Sequence, residues 1–414
     1  MNREDHLDEV IQLAATKKNL LIQWPTGVGK SRCALEIIRK YCMSPHETGV
    51  VFPKYLIVIP KLVLIDNWKV EIVKWLGEEY ISFFSFTTYL SFYKAMEQHW
   101  DCVIFDEGHH FTERCAESFV PERFGRVLIL SATIKMEVKN RLRGVIPELW
   151  FHRVSTRAVI DDKILPDPTV FLIPLSLNQL TGFYIYVKNP KGTGRFRVSF
   201  DGRWPYMKRK ERIEIVCTAQ QCHSLYCDDV KFWETQFKKT QQFWAKNKWL
   251  HCAGERLKWL SEIKTPLIKK ILNEIDSCRT LTFCSSIEQT EALGKNNIHS
   301  KNKAEGIKNL QAFNEGVVNH ITACAILNEG VNLSSCQVGV FAGLNASEIM
   351  VKQRLGRILR HKKPLIILPY FTGTRDEEIV ENMKKDYNPE LIRIVTTDRL
   401  SYEIKSFLED DNTH

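Results

Sequence analysis

The chain has 414 residues, 44% of them hydrophobic, with 58 Lys and Arg against 49 Asp and Glu for a net charge of +9. This predicts two to three globular units, each able to bury a core, and excludes a disordered chain. Without an apolar run of ~18 residues no membrane span or membrane partner is expected; the polar start reads against a secretory signal; and the twelve scattered cysteines read as reduced thiols of a cytoplasmic protein, not a disulfide scaffold.

Leu20–Trp24 is a buried-strand signal, followed by a glycine loop and a helical pattern from Ser31 to about Tyr41. Further short apolar runs are Tyr55–Pro60, Cys102–Phe105 and Arg126–Leu130, each followed by polar or helical text. This rhythm predicts an α/β fold, a parallel sheet with helices on both faces. Leu165-Pro166-Asp167-Pro168 reads as a linker. Phe183–Val187, Arg195–Phe200, Trp204–Met207 and Arg212–Cys217 look like short strands, with Asp201-Gly202 a hairpin turn. The text turns helical from Asp228 to about Lys264, and the strand rhythm returns at Thr280–Cys284, Thr322–Leu327, Val338–Phe341 and Leu365–Leu368. The expected organisation is a first α/β domain at 1–160, a linker at 161–175, an insert of hairpins then helices at 176–264, a second α/β domain at 265–400 and a frayed acidic tail at 401–414.

The positive charge is concentrated. Thr181 to Lys270 holds 19 Lys and Arg and 8 Asp and Glu, or +11, which leaves −2 for the rest of a chain that totals +9. Five of the ten tryptophans lie there: Trp204, Trp233, Trp244, Trp249 and Trp259. Cations beside aromatics suit a single-strand or junction surface, because phosphates attract cations and unstacked bases need flat faces. Arg195, Arg197, Arg203, Trp204, Lys208, Arg209 and Lys210 are the candidate contacts. Taken singly, the tryptophans read as core of the insert.

Pro25-Thr26-Gly27-Val28-Gly29-Lys30-Ser31 stands between a strand and a helix. Glycines there let backbone N–H groups close around phosphates, Lys30 would reach the β- and γ-phosphates, and Ser31 would ligate Mg²⁺. The strict GxxxxGK[ST] form is not met. The run Asp101–Phe105 is a strand ending in Asp106-Glu107-Gly108-His109-His110. Asp106 would hold Mg²⁺ through water, and Glu107 would act as general base. Ser131-Ala132-Thr133 follows another strand at the same edge, and Gln353–Arg360 places Arg357 and Arg360 on one helix face, suited to a γ-phosphate.

Taken in order, Pro-Thr-Gly-Val-Gly-Lys-Ser, Asp-Glu-Gly-His, Ser-Ala-Thr, Asn328–Leu333 and Gln-x-x-Gly-Arg-x-x-Arg resemble superfamily II helicases of the DExH type. The likeness spans roughly 1–160 and 265–380, and is nearest in appearance to the XPB and bacteriophage branched-DNA helicase branch. It implies two RecA-like domains around the basic insert, ATP and Mg²⁺ as cofactors, and a bacterial or phage-infected host cytoplasm. It also implies backbone contacts from Pro60, Lys61, Thr88, Ser285 and Ser286, a nucleotide-sensing role for Gly330 and Asn332, and catalytic roles for Gln353, Arg357 and Arg360. His109, Ser131 and Thr133 would couple hydrolysis to movement. Arg3 and His6 stand where the family reads adenine with a Gln. The expected activity is ATP-driven unwinding or remodelling of single-stranded, forked or branched DNA, with the Asp201-Gly202 hairpin as a wedge. An RNA helicase and a motor subunit without strand separation are the alternatives.

Cys217, Cys222, Cys227, His223, His251 and Cys252 invite a zinc reading. On a helix, steps of five residues rotate successive thiols by about 140°. Buried reduced cysteines are therefore expected there instead of zinc.

Overall fold

The computed structural model describes residues 2–42, 53–179, 183–188, 197–199, 212–294, 296–324, 336–344 and 361–412. Within them the strand–helix alternation resolves into two parallel sheets, one in each of two units.

The first unit runs α1 (Arg3–Thr16), β1 (Asn19–Gln23), α2 (Lys30–Tyr41), β2 (Tyr55–Ile59), α3 (Leu64–Trp75), β3 (Phe84–Thr88), β4 (Cys102–Asp106), α4 (Glu113–Ser118), β5 (Val127–Ser131), α5 (Met136–Val145), β6 (Leu149–Arg153) and α6 (Thr156–Asp161). Its strands lie in the order β3-β2-β4-β5-β1-β6, all parallel. Every residue of β2 and β5 is buried, as strands covered on both faces require. Asn2 and Asp5 close a capping box on α1, so the helix starts sharply and turns Leu7, Val10 and Ala14 inward.

The second unit comprises β7 (Thr169–Leu175), β8 (Phe183–Lys188), β9 (Arg197–Ser199), β10 (Arg212–Cys217), α7 (Ala219–Thr240), α8 (Phe243–Glu262), α9 (Thr265–Glu274), β11 (Thr280–Cys284), α10 (Ile287–Leu293), β12 (Asn297–Ile298), α11 (Lys303–Asn314), β13 (His320–Cys324), β14 (Val338–Phe341), β15 (Leu365–Phe371), α12 (Arg375–Lys384), β16 (Ile392–Ile394) and α13 (Leu400–Asn412). Seven strands form a parallel sheet in the order β12-β13-β11-β14-β15-β7-β16, and β10-β8-β9 form a small antiparallel sheet.

Three expected boundaries move. The supposed linker 161–175 contains β7, a strand inside the second sheet that pairs with Leu365–Phe371 on one side and Ile392–Ile394 on the other. Its flanking prolines look like punctuation, yet Val170–Ile173 are buried on both faces. The insert is not set apart from the second sheet. Helix begins at Ala219 instead of Asp228, and Trp259 and Leu260 at the end of α8 pack with Leu177 and Phe371. The acidic tail is the helix α13, because Leu400, Ile404 and Phe407 recur at helical spacing and enter the core beside Phe171. The Asp201-Gly202 turn and the Trp204–Met207 run lie outside the described residues.

Candidate active site at the edge of the first sheet

The glycine loop leaves β1 and enters α2 through two left-handed residues, Gly27 at φ 89° and Gly29 at φ 108°. A side chain at Gly29 would have open space but a strained backbone, so the conformation dictates glycine. Gly29 is the N-cap and offers no side-chain cap, which leaves the first N–H groups of α2 available to an anion. Lys30 Nζ donates to the carbonyl oxygens of Trp24 at 3.1 Å and Pro25 at 3.2 Å, so it is held on its own loop. Burial lowers its pKa, while Glu107 and Asp106 oppose that. Thr26 Oγ1 is buried without a hydrogen-bond partner, Val28 is buried, and Ser31 lies in the first turn of α2.

At the end of β4, Asp106 is gripped from three directions. Trp68 Nε1 donates to its Oδ2 at 2.9 Å, the Glu107 N–H donates to its Oδ1 at 3.0 Å, and Tyr89 Oη–H donates to its main-chain oxygen at 2.7 Å. Burial, then the Glu107 charge, pushes the Asp106 carboxyl up to about 6, against Trp68 and Lys30. Glu107 sits at φ 51°, a left-handed conformation that costs a non-glycine residue about 1 kcal/mol or more. The turn is pressed against β5, since a Cβ at Gly108 would lie 2.3 Å from Ile129 Cγ2.

Glu107 Oε2 makes no hydrogen bond but lies 3.4 Å from His109 Nδ1, an ion-pair separation. The same His109 nitrogen is 3.4 Å from Ser131 Oγ, which donates to the Thr133 carbonyl at 2.8 Å. Glu107, His109, Ser131 and Thr133 are thus brought into one chain across the ends of β4 and β5.

Strand order brings the expected backbone grips together: β2 and β3 are neighbours with Ile59 opposite Thr88, so Pro60, Lys61 and Thr88 share the carboxyl edge. Ser286, expected to contact the nucleic-acid backbone, caps a helix. It is buried, caps α10 by accepting from the Gln289 N–H at 3.0 Å, and donates to Glu262 Oε1 at 2.8 Å. Ser285 Oγ, by contrast, is buried without a hydrogen-bond partner. His6, which stands where the family reads adenine, packs inside the first unit. Its ring is buried edge-on to Trp24, and Nε2 is 2.9 Å from Asp162 Oδ2. Arg3 stays exposed in the first turn of α1.

Arg197 lies on β9, opposite Lys188. Arg195, Arg203, Trp204, Lys208, Arg209, Lys210, Gly330, Asn332, Gln353, Arg357 and Arg360 lie outside the described residues. No set of three or more His, Cys, Asp or Glu side chains is arranged to hold a metal among the described residues. Cys252 Sγ donates to Asp229 Oδ2 at 2.9 Å, and Cys227 Sγ lies 3.6 Å from His223 Nε2. No helix among the described residues is long and apolar enough to cross a membrane.

Sequence reasoning missed Trp68, the hydrogen bond from Tyr89 to Asp106 and a Trp24–His152 hydrogen bond of 2.9 Å. A tryptophan four residues into the helix after β2 was the available signal for Trp68.

Residues 3–136 match the type III restriction enzyme res subunit family, and residues 263–362 match the helicase conserved C-terminal domain. The DNA 3'-5' translocase XPB2 of Sulfurisphaera tokodaii is 24% identical over 400 residues, which span 90% of this chain and 82% of the relative. Among solved structures, S. cerevisiae Dbp5 bound to RNA and ADP BeF3 aligns with a TM-score of 0.59 at 11% identity, over 96% of this chain and 91% of that one. A variant of that protein in the same bound state aligns equally well, at 12% identity over 98% and 93% of the two chains. At these identities the likeness shows the fold, two RecA-like α/β domains.

Proposed function

The chain is a superfamily II helicase related to XPB, an enzyme that hydrolyses ATP, and on that premise we propose that it is a DNA translocase of the DExH type that separates or remodels forked and branched DNA. The observation that carries the reading is the convergence of Lys30, Asp106, Glu107, His109 and Ser131 at the carboxyl edge of the first sheet. DNA is favoured over RNA because the 24% identical relative is a DNA 3'-5' translocase.

The loop fits a nucleotide triphosphate. Two left-handed glycines, an uncapped helix start and the unpartnered Thr26 hydroxyl together leave donors for phosphate oxygens. Ser31 and Asp106 would hold Mg²⁺, Asp106 through water, and the ion supplies charge neutralisation of the phosphates. Lys30 exchanges its loop carbonyls for phosphate oxygens. Glu107, one oxygen of which makes no hydrogen bond, accepts the proton of the attacking water. His109 senses the charge on that carboxylate and passes it to Ser131 and Thr133. Gln353, Arg357 and Arg360 are assigned to transition-state charge, and Gly330 and Asn332 to nucleotide sensing, by their motif positions. Pro60, Lys61, Thr88, Ser285 and the basic residues of 195–210 are assigned to the nucleic acid. The reading places the chain in a reducing cytoplasm, with its cysteines as thiols.

ATPase rates with single-stranded DNA, duplex, fork, four-way junction and RNA at one salt concentration test the proposal, alongside strand displacement. Fork or junction should stimulate most, and Lys30→Ala should abolish the response. Preferential stimulation by RNA would overturn the DNA assignment, and ATPase without displacement would make the chain a motor subunit.

A further inference from the structure

The α7–α8 hairpin of the second unit loses burial toward its tip. At its base Ala219, Cys222 and Tyr226 pack with Trp259 and Leu260. Midway, Val230, Trp233 and Cys252 close a second small core. Beyond them Gln241 turns the chain at φ 52°, and the next helix opens with Phe243 and Trp244, which are 75% and 50% exposed. Trp244 is not loose. It meets Trp233 edge-on at 6.0 Å, which holds the indole while half its surface stays in water.

The surroundings of these rings are cationic. Thr235 to Leu250 contains Lys238, Lys239, Lys246 and Lys248 and no Asp or Glu. Lys248 Nζ lies 5.1 Å from the Trp233 ring centroid and Lys246 Nζ 6.0 Å from that of Phe237, so both ammonium groups are held beside the aromatic surface. The first turn of α8 carries no acidic residue and no side-chain cap.

Resting on the nucleic-acid reading above, we infer that this tip is a stacking platform for an unpaired strand. Phe243 and Trp244 take base faces, and Lys239, Lys246 and Lys248 hold adjacent phosphates. An intact duplex would use the lysines but not the rings, because paired bases offer only their edges in the grooves. An apolar protein partner would use the rings but gain nothing from the lysines beside them, of which Lys238 is paired with Glu234. An unpaired strand alone uses both.

The test uses the full chain without nucleotide, measuring anisotropy of a labelled oligo-dT of about 20 nucleotides and of a blunt duplex at one salt concentration. Phe243→Ala/Trp244→Ala should weaken oligo-dT binding about ten-fold or more, change duplex binding less than about two-fold, and leave ATPase without nucleic acid unchanged. Trp244→Phe, which keeps a flat face, should stay within about three-fold of wild type. Unchanged oligo-dT affinity in the double variant overturns the inference, as does an equal loss on both ligands. Either result leaves the helicase reading intact if wild type binds DNA; a wild-type chain that binds neither ligand overturns that reading itself.

Discussion

Trp68 on α3 donates a 2.9 Å hydrogen bond to Asp106 Oδ2 at the end of β4, so a residue outside the motifs favours the ionised form of the carboxylate assigned to Mg²⁺. Burial and Glu107 raise the Asp106 carboxyl from 3.8 to about 6, while Trp68 and Lys30 pull it down. A raised value means the ionised form gathers only as pH climbs through about 6, so Mg²⁺-dependent ATP binding should fail below that. Trp68→Phe removes a donor to the ionised form and should move the midpoint upward. At about pH 7 it should need several-fold more Mg²⁺ for half-maximal ATPase, and near-normal amounts at about pH 8.5. Mg²⁺ titrations across pH measure this, and a midpoint that does not move refutes it. The same sign says that the protonated acid favours the fold fully below 3.8 and that this benefit is lost through about 6. Asp106→Asn should therefore raise the nucleotide-free Tm by about 2–4 °C at neutral pH and not near pH 4.

Ser131 offers a separation of hydrolysis from movement. Its hydroxyl is donated to Thr133 and approached by His109, whereas Lys30 and Asp106 are positioned by other contacts. Ser131→Ala should keep basal ATPase within about three-fold and reduce strand displacement per ATP about ten-fold, the size of a typical coupling free energy. Both rates measured on one preparation decide it, and parallel losses would place Ser131 in the hydrolytic step.

What the sequence made legible was local. Tyr55–Ile59 and Thr280–Cys284 are uninterrupted apolar runs between polar segments, and the glycine loop and Asp106-Glu107 carry their chemistry in adjacent residues. What it hid depends on strand order. Trp68 and Tyr89 reach Asp106 from 38 and 17 residues away because β2 neighbours β4 and β3 neighbours β2. Thr169–Leu175 becomes a strand by pairing with a segment near the other end of the chain, against the local message of its prolines. His6 meets Asp162, a contact across 156 residues that no local pattern announces. Acidic residues obscured the Leu400, Ile404 and Phe407 stripe of α13.

Lys264 and Asp376 form an ion pair of 2.9 Å with side-chain exposures of 0% and 1%, and Lys264 Nζ also donates to the Pro369 carbonyl at 3.2 Å. The pair ties the segment between α8 and α9 to the start of α12 and the end of β15. Removing either partner strands a buried charge, so Lys264→Met or Asp376→Leu alone should cost about 3–5 kcal/mol. The double substitution leaves no charge behind and should recover most of that loss. Denaturant unfolding of the three variants measures it; additive losses would mean that the pair is not energetically coupled.

His320 on β13 gives the second unit a pH dependence of its own. Its Nε2 is 3.0 Å from Thr282 Oγ1 on the parallel neighbour β11. Burial holds the imidazole at about 4 instead of 6.5, with Asp276 opposing. A lowered value means the fold prefers neutral histidine. The associated stability is complete above 6.5 and drains away as pH falls toward about 4, by at most about 3 kcal/mol. His320→Gln keeps an amide partner for Thr282 but does not titrate, so it should flatten this part of the acid slope. Unfolding free energies at about pH 7 and pH 4.5 should converge for the variant and diverge for wild type. If both chains lose stability in parallel, the slope belongs to other groups, because protonating this imidazole would then cost the fold nothing.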